Sequence, residues 1–208
     1  MTCFPRFAKV FLPALLLGVL TACAVVPGSV SPDRMERRWQ AHLTRLQAVH
    51  SWRLSGRLAV RGEDDGWQAA LRWRQGESDY EIVIQGPLGQ GTARLVGNGA
   101  GVVLHLPGAA PRAAADAELL LASELGWWVP VKGLVYWLRG LPEPNIDARR
   151  VLDARGRLAR LEQQGWRIDY QRYRTVSGVD LPAKMVLEHA DPKLRLRLVV
   201  GRWEWGQG

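Results

Sequence analysis

The chain has 208 residues, with 28 Lys and Arg against 20 Asp and Glu for a formal charge of +8, and it is long enough for one domain with a sizeable core. Its only cysteines, Cys3 and Cys23, both lie at the N-terminus, which leaves the rest of the chain no disulfide framework and no thiolate metal site. The basic excess suits anionic lipid head groups or an acidic protein partner, with solvated strand faces as the ordinary alternative.

Arg6 and Lys9 precede an apolar run from Val10 to Leu20, too short to span a bilayer comfortably but right for a secretory signal over residues 1–22. The run ends in Leu20-Thr21-Ala22-Cys23, the pattern of a lipobox. Small residues there admit the peptidase, and the Cys23 sulfur takes an S-diacylglycerol, with an N-acyl chain on the new terminus. An ordinary signal beside an unrelated cysteine is the alternative. Ala24 in place of an aspartate favours the outer membrane by resemblance to enterobacterial sorting rules. Maturation would remove Arg6, Lys9 and all three phenylalanines, leaving 186 residues with 26 basic against 20 acidic side chains, or +6. An exported chain meets no nucleic acid routinely, so none is expected as a partner.

Residues 23–31, with Pro27, Gly28 and Ser29, read as a lipidated tether, and residues 32–208 as a single domain. Ser31 can cap and Pro32 can begin a helix whose apolar positions are Met35, Trp39, Leu43, Leu46 and Val49. From Ser51 the period becomes two. Trp52, Leu54, Leu58 and Val60 alternate with Arg53, Ser55, Arg57 and Arg61; Trp67, Ala69, Leu71 and Trp73 follow, then Tyr80, Ile82 and Ile84. Turns at 62–66 and 75–79 make these strands antiparallel, and 92–96 and 102–106 continue the series. Ala113 to Leu125 favours a helix with Asp116 as cap and Gly126 as stop, and a second helix runs from Pro130 to Gly140. Strands return at Trp166–Tyr170, Ala183–Leu187 and Leu194–Val200. The pattern is mainly β (α+β): a curved antiparallel sheet or partial barrel with helices over its concave face.

Catalytic chemistry finds little support. His42, His50, His105 and His189 show no helical metal-ligand spacing, and no serine has Gly-x-Ser-x-Gly neighbours. Gly86-Pro87-Leu88-Gly89-Gln90-Gly91 lacks the Lys-Ser/Thr ending of a phosphate loop, and Glu63, Asp64 and Asp65 sit in a turn where solvation explains them. The ten tryptophans stand out. They could fill a core or line an apolar cavity.

Trp73-Arg74-Gln75, Gly86-Pro87-Leu88-Gly89, the Ala113-to-Gly126 helix and Pro130-Val131 through Tyr136-Trp137-Leu138-Arg139-Gly140-Leu141-Pro142 together resemble the LolB family over about Trp39 to Trp203. Ala110 to Ala113 departs from the family pattern where the lid begins. The resemblance implies an incomplete antiparallel β-barrel with an apolar cavity under a helical lid, plus an N-terminal helix. It implies an outer-membrane receptor, not an enzyme and without a cofactor. Such a receptor acts as a monomer, accepts acylated lipoproteins from the periplasmic carrier LolA, and inserts them into the phospholipid of the outer membrane's inner leaflet. It further implies that Leu88, held between Pro87 and Gly89, is the loop leucine that enters the membrane; the alternative folds Leu88 back beside Ile84. Expected cavity residues are Trp67, Trp73, Ile82, Ile84, Leu134, Trp137 and Leu138. Arg72 and Arg74 are left without a role. A structural or assembly lipoprotein with a filled interior, or a lipid-anchored hydrolase, would be the competing classes.

Overall fold

The computed structural model describes residues 31–87, 91–125 and 128–205, together with Thr2. The signal segment, Cys23 and its tether, Leu88, Gly89 and Gly126 fall outside the described residues. Helix α1 (Pro32–Gln47) leads into β1 (Trp52–Arg61), β2 (Gly66–Gln75), β3 (Asp79–Gln85), β4 (Thr92–Asn98), β5 (Gly101–His105) and β6 (Arg112–Ala114). Then come α2 (Ala117–Leu125), α3 (Val131–Trp137), β7 (Arg149–Leu152), β8 (Leu158–Gln163), β9 (Trp166–Val176), β10 (Val179–His189) and β11 (Leu194–Trp205).

The strands form one sheet in the order β6-β5-β4-β3-β2-β1-β11-β10-β9-β8-β7, and the described pairings are antiparallel. The end strands β6 and β7 do not pair with each other, so the barrel stays open. Its centre bends where β1 meets β11. The register shifts at Ser55/Gly56, and a Cβ at Gly56 would lie 2.4 Å from the Val199 carbonyl oxygen. Only glycine permits that approach, and the bulge curves the sheet.

Alternation places Leu54, Val60, Leu71, Trp73, Leu196 and Leu198 inside and Arg53, Arg57, Arg72 and Arg197 outside. Trp52 sits between Trp73 and Trp203, with ring centroids 5.6 and 5.4 Å away, and closes one end of the interior. Helix α1 buries Trp39, His42 and Leu46, and lies against β10 and the turn between β7 and β8. Two cross-links hold it there: Arg38 Nη1 donates to the Ala154 carbonyl (2.6 Å), and Arg150 pairs with Glu36 (2.8 Å) while its guanidinium stands over the Trp39 ring.

Sequence periodicity alone locates α1 and the strands β1 to β5 and β9 to β11. It placed Ser31 at the start of α1, where the structure also has it, yet Ser31 caps with its backbone carbonyl rather than its hydroxyl. The expected helix from Ala113 begins instead at Ala117. Arg112–Ala114 pairs with β5 as β6, and the Asp116 carboxylate breaks the strand by accepting the Glu118 and Leu119 N–H groups. Strands β7 and β8 were not foreseen. β7 is an edge strand with exposed Arg149, Arg150 and Val151, and β8 buries Leu158 and Leu161 at a spacing of three, which hides its period of two.

Candidate functional site: an apolar cavity under two helices

A cavity of ≈ 450 Å³ opens in the concave face of the β1–β5 half of the sheet. Inward residues of successive strands make its wall: Leu58 and Val60 on β1, Ala69, Leu71 and Trp73 on β2, Ile82 and Ile84 on β3, and Leu95 and Leu104 on β4 and β5. Leu187, Leu196 and Leu198 continue it onto β10 and β11. Leu121 of α2, Val129 between the helices, and Val131, Leu134 and Leu138 of α3 form the roof. Among the described lining residues Gln68 alone has a polar side chain apart from the tryptophan N–H groups, and it is exposed. Such a surface holds hydrocarbon and gives water almost nothing to bond.

The wall ends at Trp73, behind which lie Trp52 and Trp203, so one end of the cavity is sealed by indoles packed at tilted and edge-to-face angles. At the other end Gly86, Pro87, Gly91 and Pro107 edge the opening beside Trp67, which is 42% exposed. The Gly86 N–H donates to the Gly91 carbonyl (3.0 Å), which closes the neck of the loop carrying Leu88.

The roof is fastened differently at its two ends. Where α3 finishes, the Trp137 indole donates to Gln163 Oε1 (2.8 Å), the Tyr170 hydroxyl donates to the Trp137 carbonyl (3.0 Å), and Arg139 Nη1 donates to the Val49 carbonyl (2.7 Å). Burial raises the Tyr170 hydroxyl far above its usual titration range, so it remains a donor. Helices α2 and α3 are joined to each other by Lys132, whose N–H donates to Glu118 Oε1 (3.1 Å) and whose ammonium pairs with Asp116 (3.1 Å). The Leu119 N–H and then Lys132 hold the Asp116 carboxyl below its usual value, whereas burial raises Glu118 against the opposing pull of Lys132. Helix α2 is tied to β6 by the ion pair of Glu124 with the exposed Arg112. One end of the roof is thus anchored in buried polar contacts and the other by a surface pair.

Of the seven residues expected in the cavity, the structure brings Trp67, Trp73, Ile82, Ile84, Leu134 and Leu138 to its lining. Trp137 is a correction: it is fully buried on the other side of α3, packed 6.4 Å from Trp166, and its indole N–H is committed to Gln163. Helical spacing places Val131, Leu134, Val135 and Leu138 in one stripe, and Trp137, which lies outside that stripe, has no periodic signal for the cavity. Leu58, Val60, Ala69, Leu71, Leu196 and Leu198 were legible as inward by alternation, and only their place opposite the roof was missing. Leu121 is legible as an apolar position of α2 and Val131 as the first of the α3 stripe that includes Leu134 and Leu138, whereas Val129 carries no separate signal. Half of the ten tryptophans fill space away from the cavity: Trp39, Trp52, Trp137, Trp166 and Trp203 are core residues.

The family profile described as "Outer membrane lipoprotein LolB" matches residues 50–203. The outer-membrane lipoprotein LolB of Nitrosococcus oceani is 45% identical over 172 residues, covering 82% of this chain and 85% of that protein. That of Pseudomonas paraeruginosa is 38% identical over 201 residues, covering 94% and 96%. Among solved structures, a LolA superfamily protein from Nitrosomonas europaea superposes with a TM-score of 0.52 at 8% identity, over 82% of this chain and 94% of that one. This last likeness concerns the fold.

Proposed function

The chain belongs to the LolB family of outer-membrane lipoproteins, and we propose that its cavity is where the acyl chains of a cargo lipoprotein rest as they pass from the carrier LolA to the outer membrane. The observation that carries this reading is the wall itself, a hydrocarbon-lined hollow within a sheet that is otherwise packed. A structural lipoprotein with a filled interior has no use for it.

The physics of the cargo explains the need. Burying acyl chains is worth about 0.8 kcal/mol per methylene, so three chains with on the order of 40 methylenes would cost roughly 30 kcal/mol to release into water. Passage from one apolar cavity to another avoids that barrier, and a downhill order of affinities from carrier to receptor to bilayer drives it without a nucleotide. No covalent bond changes.

Cys23 would carry the diacylglyceryl and N-acyl groups that keep the protein at its membrane, and the tether to Ser31 would leave a monomeric domain free to meet the carrier. Leu88 would enter the bilayer during delivery. Support for this comes from Pro87 and Gly91, which flank the loop and edge the cavity opening. Mixing lipoprotein-loaded LolA with this protein and liposomes tests the reading. Cargo should move first to this protein and then to the liposomes; cargo that stays on the carrier would refute it. Leu88→Glu should accept cargo at the normal rate but deliver it to liposomes at least about tenfold more slowly, since a charge placed in hydrocarbon costs a few kcal/mol. Equal loss of both steps would overturn the assignment of Leu88.

A further inference from the structure

The opposite face of the strands that wall the cavity is paved with arginine. Arg53 and Arg57 point outward from β1, Arg72 from β2 and Arg197 from β11, all exposed. The register puts Ser55 beside Arg72 and Arg57 beside Ala70. On their other sides Arg57 lies beside Val199 and Arg72 beside Val83, while Arg53 stands between Arg74 and Glu204. Arg53, Arg57 and Arg72 have no ion-pair partner among the described residues, because the nearby carboxylates are engaged elsewhere: Glu81 with Arg94 (2.5 Å) and Glu204 with Arg202 (3.4 Å). Toward the cavity mouth, the Glu63–Asp65 turn offsets Arg61 and Arg197. The net positive patch is therefore Arg53, Arg57 and Arg72, about 13 Å long on β1.

We propose that this outer face of β1 and β2 is a docking surface for the anionic head-group layer of the membrane to which the protein is tethered. Its composition favours lipid over a protein partner. Protein interfaces centre on buried aromatic or aliphatic anchors and exclude charge from their core. None of the exposed large hydrophobic residues, Trp67, Leu119, Trp128, Ile146 and Val151, lies on this face. Arginines without an apolar anchor suit a plane of phosphates, where each contributes independently. Docked in this way, the protein turns the hollow side of the sheet from the bilayer toward the periplasm. Delivery through the Leu88 loop would then require the domain to lift off, so the patch defines a second, waiting orientation.

The lipidated protein should be reconstituted on vesicles of phosphatidylcholine alone and of equal parts phosphatidylcholine and phosphatidylglycerol. Ser55→Cys labelled with a fluorescent donor reports proximity to an acceptor on the lipid head groups; Cys23, once acylated, leaves no competing thiol. Energy transfer should be greater on the anionic vesicles and fall at high salt. The combined Arg53→Gln, Arg57→Gln and Arg72→Gln variant should lower the ratio of docked to undocked protein roughly hundredfold, while the three Arg→Lys substitutions preserve it. Equal transfer on both vesicles, an increase that survives the glutamine substitutions, or an effect that needs added LolA would overturn the proposal. Cargo transfer measured on the same variants is a separate readout, so failure of docking is distinguishable from failure of the acyl cavity.

Discussion

Gln163 shows how much one buried polar side chain can organise. Its Oε1 accepts from the Trp137 indole and the Glu143 N–H, and its Nε2 donates to the Glu143 and Ile146 carbonyls, at 2.8 to 3.0 Å. The Trp137 indole is withdrawn from water and the other three groups are partly so, and Gln163→Leu should destabilise the protein by about 3 kcal/mol, measured by urea unfolding. His42 is a contrasting case. Its Nε2 is buried without a hydrogen-bond partner among the described residues, and burial, then Arg157 and Arg45, hold the imidazole below its ordinary 6.5 against the opposing Asp180 and Asp153. Below pH 6.5 the unfolded chain takes up a proton that the folded one refuses. Stability present above that pH should therefore fall as pH drops through 6.5 toward the lower folded value, and His42→Leu should flatten this part of the profile in urea titrations. The sequence marked neither role, because an isolated Gln or His reveals nothing about the groups it will meet across long separations.

At the scale of elements, the interior has two halves made differently. Over β8 to β10, α1 and the end of α3 pack the concave face with Trp39, Trp137, Leu161, Ile168 and Met185. Over β1 to β5, α2 and α3 bridge the face and leave it hollow. Helix α1 depends on Gly156, whose φ of +77° favours glycine and where a Cβ would lie 2.4 Å from the Arg38 Cβ and 2.7 Å from the Trp39 nitrogen. Gly156→Ala should cost about 2 kcal/mol in thermal or urea unfolding, through the strained turn and a displaced α1. Strands with strict alternation, from β1 to β3 and at β11, were readable from sequence because one face meets hydrocarbon and the other water. β7, with no buried face, and β8, with its broken period, were not. Trp137 falls outside the periodic stripe of α3, and its partners Gln163 and Trp166 lie far along the chain, where no local period points to them.

For the whole molecule, capacity is the decisive quantity. A 150 Å³ cavity that holds benzene allows about 25 Å³ per carbon, so ≈ 450 Å³ takes about eighteen carbons, the size of one acyl chain. A triacylated cargo therefore needs the roof to rise. Its α2 end, tied to β6 by a surface ion pair, is the side with the less buried attachment. Partial barrel, N-terminal helix and roof were all anticipated from pattern and resemblance, while the volume beneath the roof depends on three-dimensional packing that no local period encodes. The central claim is that acyl chains of cargo occupy this hollow. The most direct measurement is transfer, from LolA, of a lipoprotein whose acyl chains carry photoreactive groups, followed by irradiation and identification of the labelled residues. Labels on Leu71, Ile82, Leu134 and Leu138 are predicted; labels confined to the outer face, or no more than an unacylated cargo gives, would contradict the account.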